Sequence, residues 1–345
     1  MQSPLGGNRS VLNVATALLA EGEAFALAIV VSTQGSTYRK AGALALVADN
    51  GTTCGVLSGG CLEPALHTVA KQVLNHNTPQ IWLVDTQSRD DLIFGSGSGC
   101  RGVMQVLVIP VLPHSPHTLY VALAAAQQSQ RSLTIALGIQ PPWCACGAAW
   151  TDEQTWQVGN AVTGIESLQH AGSGEYTLLQ GKEHANVVVC EIHAAPRILL
   201  IGAGPEATPL MYIARSLGWL VTLIDHRAAS LSAYATAADR SLLARPAAAL
   251  AQLSAEHFSA ALIMSHTAAI DLEALQTLAL RKESYVGLLG PPARRDELLN
   301  QLSDSERDAL KPRLHAPLGL RLGGDGPESV ALSIVAELQR FLTQP

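Results

Sequence analysis

The sequence predicts an α/β protein of two domains, the second a doubly wound parallel sheet, on three observations. Its 345 residues are about twice the roughly 150 of an average domain. They are 48% hydrophobic and only 14% charged, the composition of a chain that buries a core and not of a disordered one. With aromatics at 4%, that core is built from Ala, Val, Leu and Ile. Beyond residue 196, short apolar runs alternate with helical patterns, as parallel strands with crossover helices require. The Ala195-Pro196 step sets the expected boundary between residues 1–195 and residues 196–345.

In the first half, residues 11–20 read as a short helix, because Asn13 and Thr16 interrupt an otherwise signal-like run. Runs 24–32 and 43–48 read as strands, followed by Asp49-Asn50-Gly51, a tight-turn signal. Over 62–76, Leu62, Leu66, Val69, Val73 and Leu74 share one helical face, and Glu63 and Pro64 suit its first turn. Residues 81–85 and 103–111 supply two more strands. The stretch after Pro110, broken again by Pro113 and Pro116, declares only a helix around 121–127 and strands at 133–139 and 187–192. In the second half strands are expected at 197–201, 220–225, 258–265 and 285–289. Helices are expected at 206–217, at 269–281, after residue 289, and from Gly326-Pro327-Glu328 onward.

Charge and cysteine content exclude several classes. Lys plus Arg number 22 against 28 Asp plus Glu, a formal charge of −6, and no basic run offers a footprint for nucleic acid or an anionic membrane. No apolar run reaches the ~18 residues that span a bilayer. Six cysteines in 345 residues, without an export signal, are expected to be reduced thiols of a cytoplasmic protein. Cys144 and Cys146 form a C-x-C with no second pair at zinc spacing and read as packing residues.

Gly202-Ala203-Gly204-Pro205-Glu206-Ala207 follows a strand and opens a helix as a G-x-G-x-x-A turn. The first glycine permits the turn, the second lets backbone approach a pyrophosphate, and Ala207 allows close helix–strand packing. Asp225 ends the next strand 23 residues after Gly202, where a ribose-binding acid is expected. The second domain is therefore Rossmann-like, with NAD(P) or another nucleotide as a candidate ligand; the alternative is that the glycines serve only the turn. Arg227, His266, Gly290, Arg294 and Arg295 follow strands of the same sheet and are expected at one crevice. The arginines are candidates for phosphate.

In the first domain Ser36 and Arg39 follow a strand, and Ser58-Gly59-Gly60-Cys61 precedes a helix. Successive N–H groups in Ser-Gly-Gly suit an anion, and a thiol at a helix start is favoured as thiolate, able to ligate a soft metal. A second glycine-rich loop ends at Cys100 and precedes a strand, so Cys61 ranks ahead of it. The alternative for both cysteines is that of small residues in tight turns.

GSTYRKAGA (35–43), the block 58–63 and FGSGSGC (94–100) resemble the N-terminal domain of the xanthine dehydrogenase accessory (XdhC/CoxI-type) family. RILLIGAGPEATPL (197–210), LGWLVTLIDHR (217–227), YVGLLGPPARRDELL (285–299) and LHAPLGLRLGGDGPESVALSIVAEL (314–338) resemble its Rossmann-type C-terminal domain. Ala41 departs from a position often occupied by proline, and Ser98 and Arg101 interrupt what is commonly a Gly-Cys-Gly-Gly loop.

The resemblance implies a molybdenum cofactor chaperone, that is, a maturation factor. Such a protein binds the pterin–molybdenum cofactor (molybdopterin) and protects it. It works with a cysteine desulfurase during sulfuration and delivers the cofactor to an apo molybdenum hydroxylase. Cys61 or Cys100 is then the contact to molybdenum or its sulfido ligand. Two alternatives stay open: an NAD(P)-dependent oxidoreductase on Gly202, Gly204, Asp225 and His266, and a thiol-based sulfur transferase acting through Cys61. A homodimer is the expected assembly, two-fold dimers being the commonest.

Overall fold

A computed structural model of the chain describes residues 6–60, 62–86 and 101–343. The chain divides into two compact units, Met1–Ala195 and Pro196–Pro345.

The N-terminal unit opens with α1 (Gly7–Ala20), β1 (Phe25–Gly35), β2 (Leu44–Ala48), β3 (Thr53–Cys54), α2 (Glu63–His76), β4 (Gln80–Asp85) and β5 (Gly102–Val111). Its five strands form an antiparallel sheet in the order β3-β2-β1-β5-β4. The unbroken apolar run of β1 is explained by burial on both faces. Phe25, Leu27, Ile29 and Val31 enter one core, while Ala26, Ala28 and Val30 enter another beneath Leu66, Val69, Ala70 and Val73 of α2. Small residues on the second face let the helix lie close to the strands. Glycine at position 51, φ +86°, closes the turn between β2 and β3 that Asn50-Gly51 announces.

A second antiparallel sheet follows. It is built from α3 (Thr118–Ser129), β6 (Leu133–Gly138), β7 (Gly147–Trp150), β8 (Thr155–Val158), a 3-10 turn (Ile165–Leu168), β9 (Gly174–Gln180) and β10 (Glu183–Ile192). Its order is β8-β7-β6-β10-β9. Strands β7, β8 and β9 go beyond the sequence expectation: the first two are four residues long, and β9 is an edge strand with its side chains largely exposed. The two sheets share one core with α1 and α3, in which Leu27 and Ile109 join Val14, Leu123, Leu137 and Val188.

The C-terminal unit runs β11 (Arg197–Ile201), α4 (Ala207–Ser216), β12 (Leu220–Asp225), α5 (Ala228–Tyr234), β13 (Arg240–Leu243), α6 (Pro246–Gln252), β14 (Ala260–Ile263), α7 (Ala268–Ala279), β15 (Val286–Leu288), α8 (Pro292–Leu299), α9 (Asp304–Leu310), β16 (Leu314–His315) and α10 (Pro327–Leu342). All six strands are parallel in the order β13-β12-β11-β14-β15-β16. This is the doubly wound arrangement, with its switch point between β11 and β14. Leu200 and Leu262 face a core closed by Leu210, Ile334 and Leu338. Their neighbours Leu199 and Ile263 face the other core, closed by Leu250, Leu275 and Leu278. Short polar β13 and the small helices α5, α6 and α9 are not declared by the sequence. Among the described residues, no helix is long and apolar enough to cross a membrane.

Candidate functional site

Strand directions gather the N-terminal motifs. Strands β1, β3 and β4 run the same way, since β2 and β5 are antiparallel to their neighbours. The segments leaving their carboxyl ends, beginning at Ser36, Gly55 and Thr86, therefore start from one end of the sheet. Two of them touch: Ser36 N–H donates to Arg101 O at 3.2 Å, and a Cβ on Gly102 would meet Ser36 O at 2.6 Å. Thr86 closes the neck of the third, its hydroxyl donating to Gly102 O at 2.8 Å and accepting from Gly102 N–H at 3.1 Å. Arg39 is half-buried, and its carbonyl accepts from Thr37 Oγ1 at 2.8 Å.

Ser58 organises the Ser-Gly-Gly loop from within. Its side chain is buried, and Oγ accepts the N–H groups of Gly60 at 3.2 Å and Leu62 at 3.0 Å. The same hydroxyl donates to Glu63 Oε2 at 3.1 Å. One of the N–H groups that the sequence offered to an anion, that of Gly60, is thus already held by a serine. Among the described residues, a Cβ on Gly59 or Gly60 would meet nothing within 4 Å, and Gly60 has φ +111°. Cys61, Cys100 and the Gly95–Cys100 loop lie outside the described residues. Elsewhere burial pushes the Cys190 thiol up to about 11 and also raises that of Cys144, so neither is a thiolate at neutral pH. Among the described residues no three His, Cys, Asp or Glu side chains cluster as metal ligands.

The C-terminal candidates converge at the carboxyl ends of β11, β12 and β14. Gly202, φ +114°, is where β11 meets β14, and a Cβ there would lie 2.5 Å from the backbone of Met264 and Ser265. Asp225 faces this turn but is committed to it. Oδ2 accepts Ala203 N–H at 2.7 Å and Arg227 Nη2 at 2.8 Å, while Oδ1 accepts Arg227 N–H at 2.7 Å and Nε at 3.0 Å. Burial would raise this carboxyl, yet the Arg227 guanidinium and the two N–H groups outweigh it and hold it below its ordinary value. The acid expected for a ribose therefore braces the turn and neutralises Arg227.

His266 stands at φ +57° after β14, with Nε2 3.2 Å from Glu206 Oε2. Arg294 reaches the same end through Asp271, donating from Nη2 to Oδ2 at 2.6 Å, while Ser265 Oγ donates to Oδ1. Arg294 Nε is buried with no partner among the described residues. Arg295 turns instead to Asp296 and Ala316 O. The crevice between Gly202, Asp225, Pro246 and Ser265 has no space for a water-sized group. The sequence named Glu206 only as part of the turn motif and did not single out Asp271, which lies in the first turn of α7, five residues after His266.

Residues 198–338 match the family model described as the XdhC Rossmann domain, and residues 18–86 match that of the XdhC and CoxI family. The chain belongs to the XdhC and CoxI family. A probable xanthine dehydrogenase subunit of Bacillus subtilis is 28% identical over 329 residues, 93% of this chain and 94% of that protein. An uncharacterised Escherichia coli protein, YqeB, is 30% identical over 154 residues, 41% of this chain and 27% of that protein. A crystal structure described as a xanthine dehydrogenase from Bacillus halodurans superposes with TM-score 0.78 at 27% identity, covering 96% of this chain and 95% of that one. In this XdhC-family chain the 18–86 match holds Ser36, Arg39 and the Ser58-Gly59-Gly60 loop, and the 198–338 match holds the Gly202 turn. The second antiparallel sheet falls outside both matches.

Proposed function

We propose that this XdhC-family chain is a maturation factor for a xanthine dehydrogenase-type molybdenum hydroxylase and carries the molybdenum cofactor as cargo. It protects the cofactor, supports its sulfuration in concert with a cysteine desulfurase, and inserts it into the apo hydroxylase. The observation that carries the reading is the one end of the sheet at which β1, β3 and β4 finish, at Gly35, Cys54 and Asp85, all three within the span that matches the XdhC and CoxI family. Open backbone at Gly59 and Gly60 suits close approach of a planar pterin, and Arg39 and Ser36 suit its phosphate. Cys61, with Cys100 second, is the thiol assigned to the molybdenum–sulfur end. The name of the Bacillus subtilis relative agrees with a xanthine dehydrogenase client. The factor works in the cytoplasm as a homodimer. An oxidoreductase reading gains nothing from Asp225, both of whose oxygens are held inside the fold.

The test adds isolated molybdenum cofactor to the purified chain, separates unbound cofactor by gel filtration, and measures retained molybdenum and pterin. Activation of an apo hydroxylase is assayed in parallel. Retention and activation are expected for the wild-type chain, with both impaired in a folded Cys61→Ser. No retention by the wild-type chain would end the cargo reading. Full activity in Cys61→Ser with loss in Cys100→Ser would exchange the roles of the two thiols.

A further inference from the structure

In a G-x-G-x-x-A turn the second glycine is bare so that a pyrophosphate can lie against the backbone. In this unit the space over that glycine is filled by the protein's own side chains. A Cβ on Gly204 would lie 3.0 Å from Glu206 Oε2 and 3.4 Å from His266 Nε2. The two side chains hold each other at 3.2 Å, with that of Glu206 only 16% exposed and that of His266 52% exposed. His266 reaches the turn from a left-handed backbone at φ +57°, a conformation that residues other than glycine keep only where the surroundings impose it.

The turn also has few donors to spare. The N–H groups of Gly202 and Ala207 go to Ile224 O and Gly204 O, that of Ala203 goes to Asp225, and Pro205 has none. At the start of α4, Glu206 occupies the position where the helix dipole favours negative charge.

We infer that Glu206, clamped by His266, is the built-in anion of the Gly202–Ala207 turn and decides which ligands the C-terminal unit accepts. With the carboxylate in place, the bridging pyrophosphate of a free dinucleotide is excluded, because two anions compete for one seat and like charges at contact repel. The ribose end is closed independently, since Arg227 takes the oxygens of Asp225 that a 2′-hydroxyl would need. The glycine turn thus keeps its structural purpose, joining β11 to β14 at Gly202, while its dinucleotide purpose is blocked. This inference rests on the C-terminal unit alone and stands or falls separately from the cargo reading.

The experiment titrates NAD+ and NADP+ by calorimetry into the full chain, the wild type beside E206Q, E206A and H266A, with thermal unfolding to show that each is folded. E206A is expected to bind at least tenfold more tightly than wild type, a difference of about 1.4 kcal/mol. E206Q keeps the bulk and removes the charge, so it falls between them. H266A frees the carboxylate without removing it and gains less than E206A. Equal affinities in all four proteins, no measurable binding in any, or tightest binding by the wild type would each overturn the inference.

Discussion

Gly202 and Gly60 both stand at positive φ, +114° and +111°, yet the fold needs them for different reasons. At Gly202 a side chain would collide with the backbone of Met264 and Ser265 just beyond β14, whereas at Gly60 it would meet none of the described residues within 4 Å. Gly202→Ala is therefore expected to lose about 3 kcal/mol, from left-handed strain plus overpacking, read as a lower urea midpoint. Gly60→Ala should lose about 1–2 kcal/mol from strain alone, and Gly59→Ala should leave the midpoint in place while hindering any ligand at that loop. Asp225 illustrates what the residue scale conceals: its position at the end of β12 was legible from spacing, but its four internal hydrogen bonds were not. Asp225→Ala is expected to cost about 3 kcal/mol at neutral pH, since it leaves buried donors and a charge unpaired. The carboxyl is held below its ordinary 3.8, so its contribution is complete above that value. It disappears as pH falls through the lower folded value. Urea midpoints of variant and wild type should converge on that acid limb and remain apart at pH 7.

Elements were legible where one periodicity ran long enough to be seen. Helices α2 and α10 each bury one face, and strands β1 and β11 carry unbroken apolar runs, 25–31 and 198–201, because helices or a second sheet cover both sides there. Strands β7, β8 and β13 are four residues each, too short for alternation to register. The end of α7 is satisfied by a side chain distant in sequence, which no local pattern announces. Arg313 donates to Leu278 O at 2.8 Å at the end of α7, to Glu283 O at 2.8 Å and to Ala309 O at 3.0 Å. Replacing Arg313 with Met keeps the stem and strands three carbonyls, so a loss of about 2–3 kcal/mol is expected. The slope of unfolding free energy against urea should stay unchanged, and cofactor retention should be unaffected.

At the scale of the whole chain, the division at Ala195 and Pro196 separates cores of different character. The C-terminal unit closes two cores on the faces of a single sheet, using its own residues. A fragment of residues 196–345 is accordingly expected to unfold cooperatively in urea. The N-terminal unit cannot be shortened in the same way, because Leu133, Ile135, Leu137, Val188 and Ile192 of the second sheet complete the core begun by Phe25, Leu27 and Ile29. Residues 1–112 alone should lack a cooperative transition, although they contain the whole 18–86 family match. Circular dichroism of the two fragments distinguishes these outcomes.

From composition and local pattern the sequence determined the α/β class, the parallel C-terminal sheet and the long elements, while its motif blocks carried the resemblance to the family, because all of these depend on residues that are neighbours in the chain. Only the tertiary structure decided how the motif residues are used. It turned Ser58 onto the N–H groups of its own loop, gave Asp225 to Ala203 and Arg227, and set Glu206 and His266 over Gly204. Hydrogen-bond donors and acceptors in a folded chain are claimed by whatever lies nearest in space. Spacing can name a candidate ligand, but only packing shows whether its polar atoms are still free.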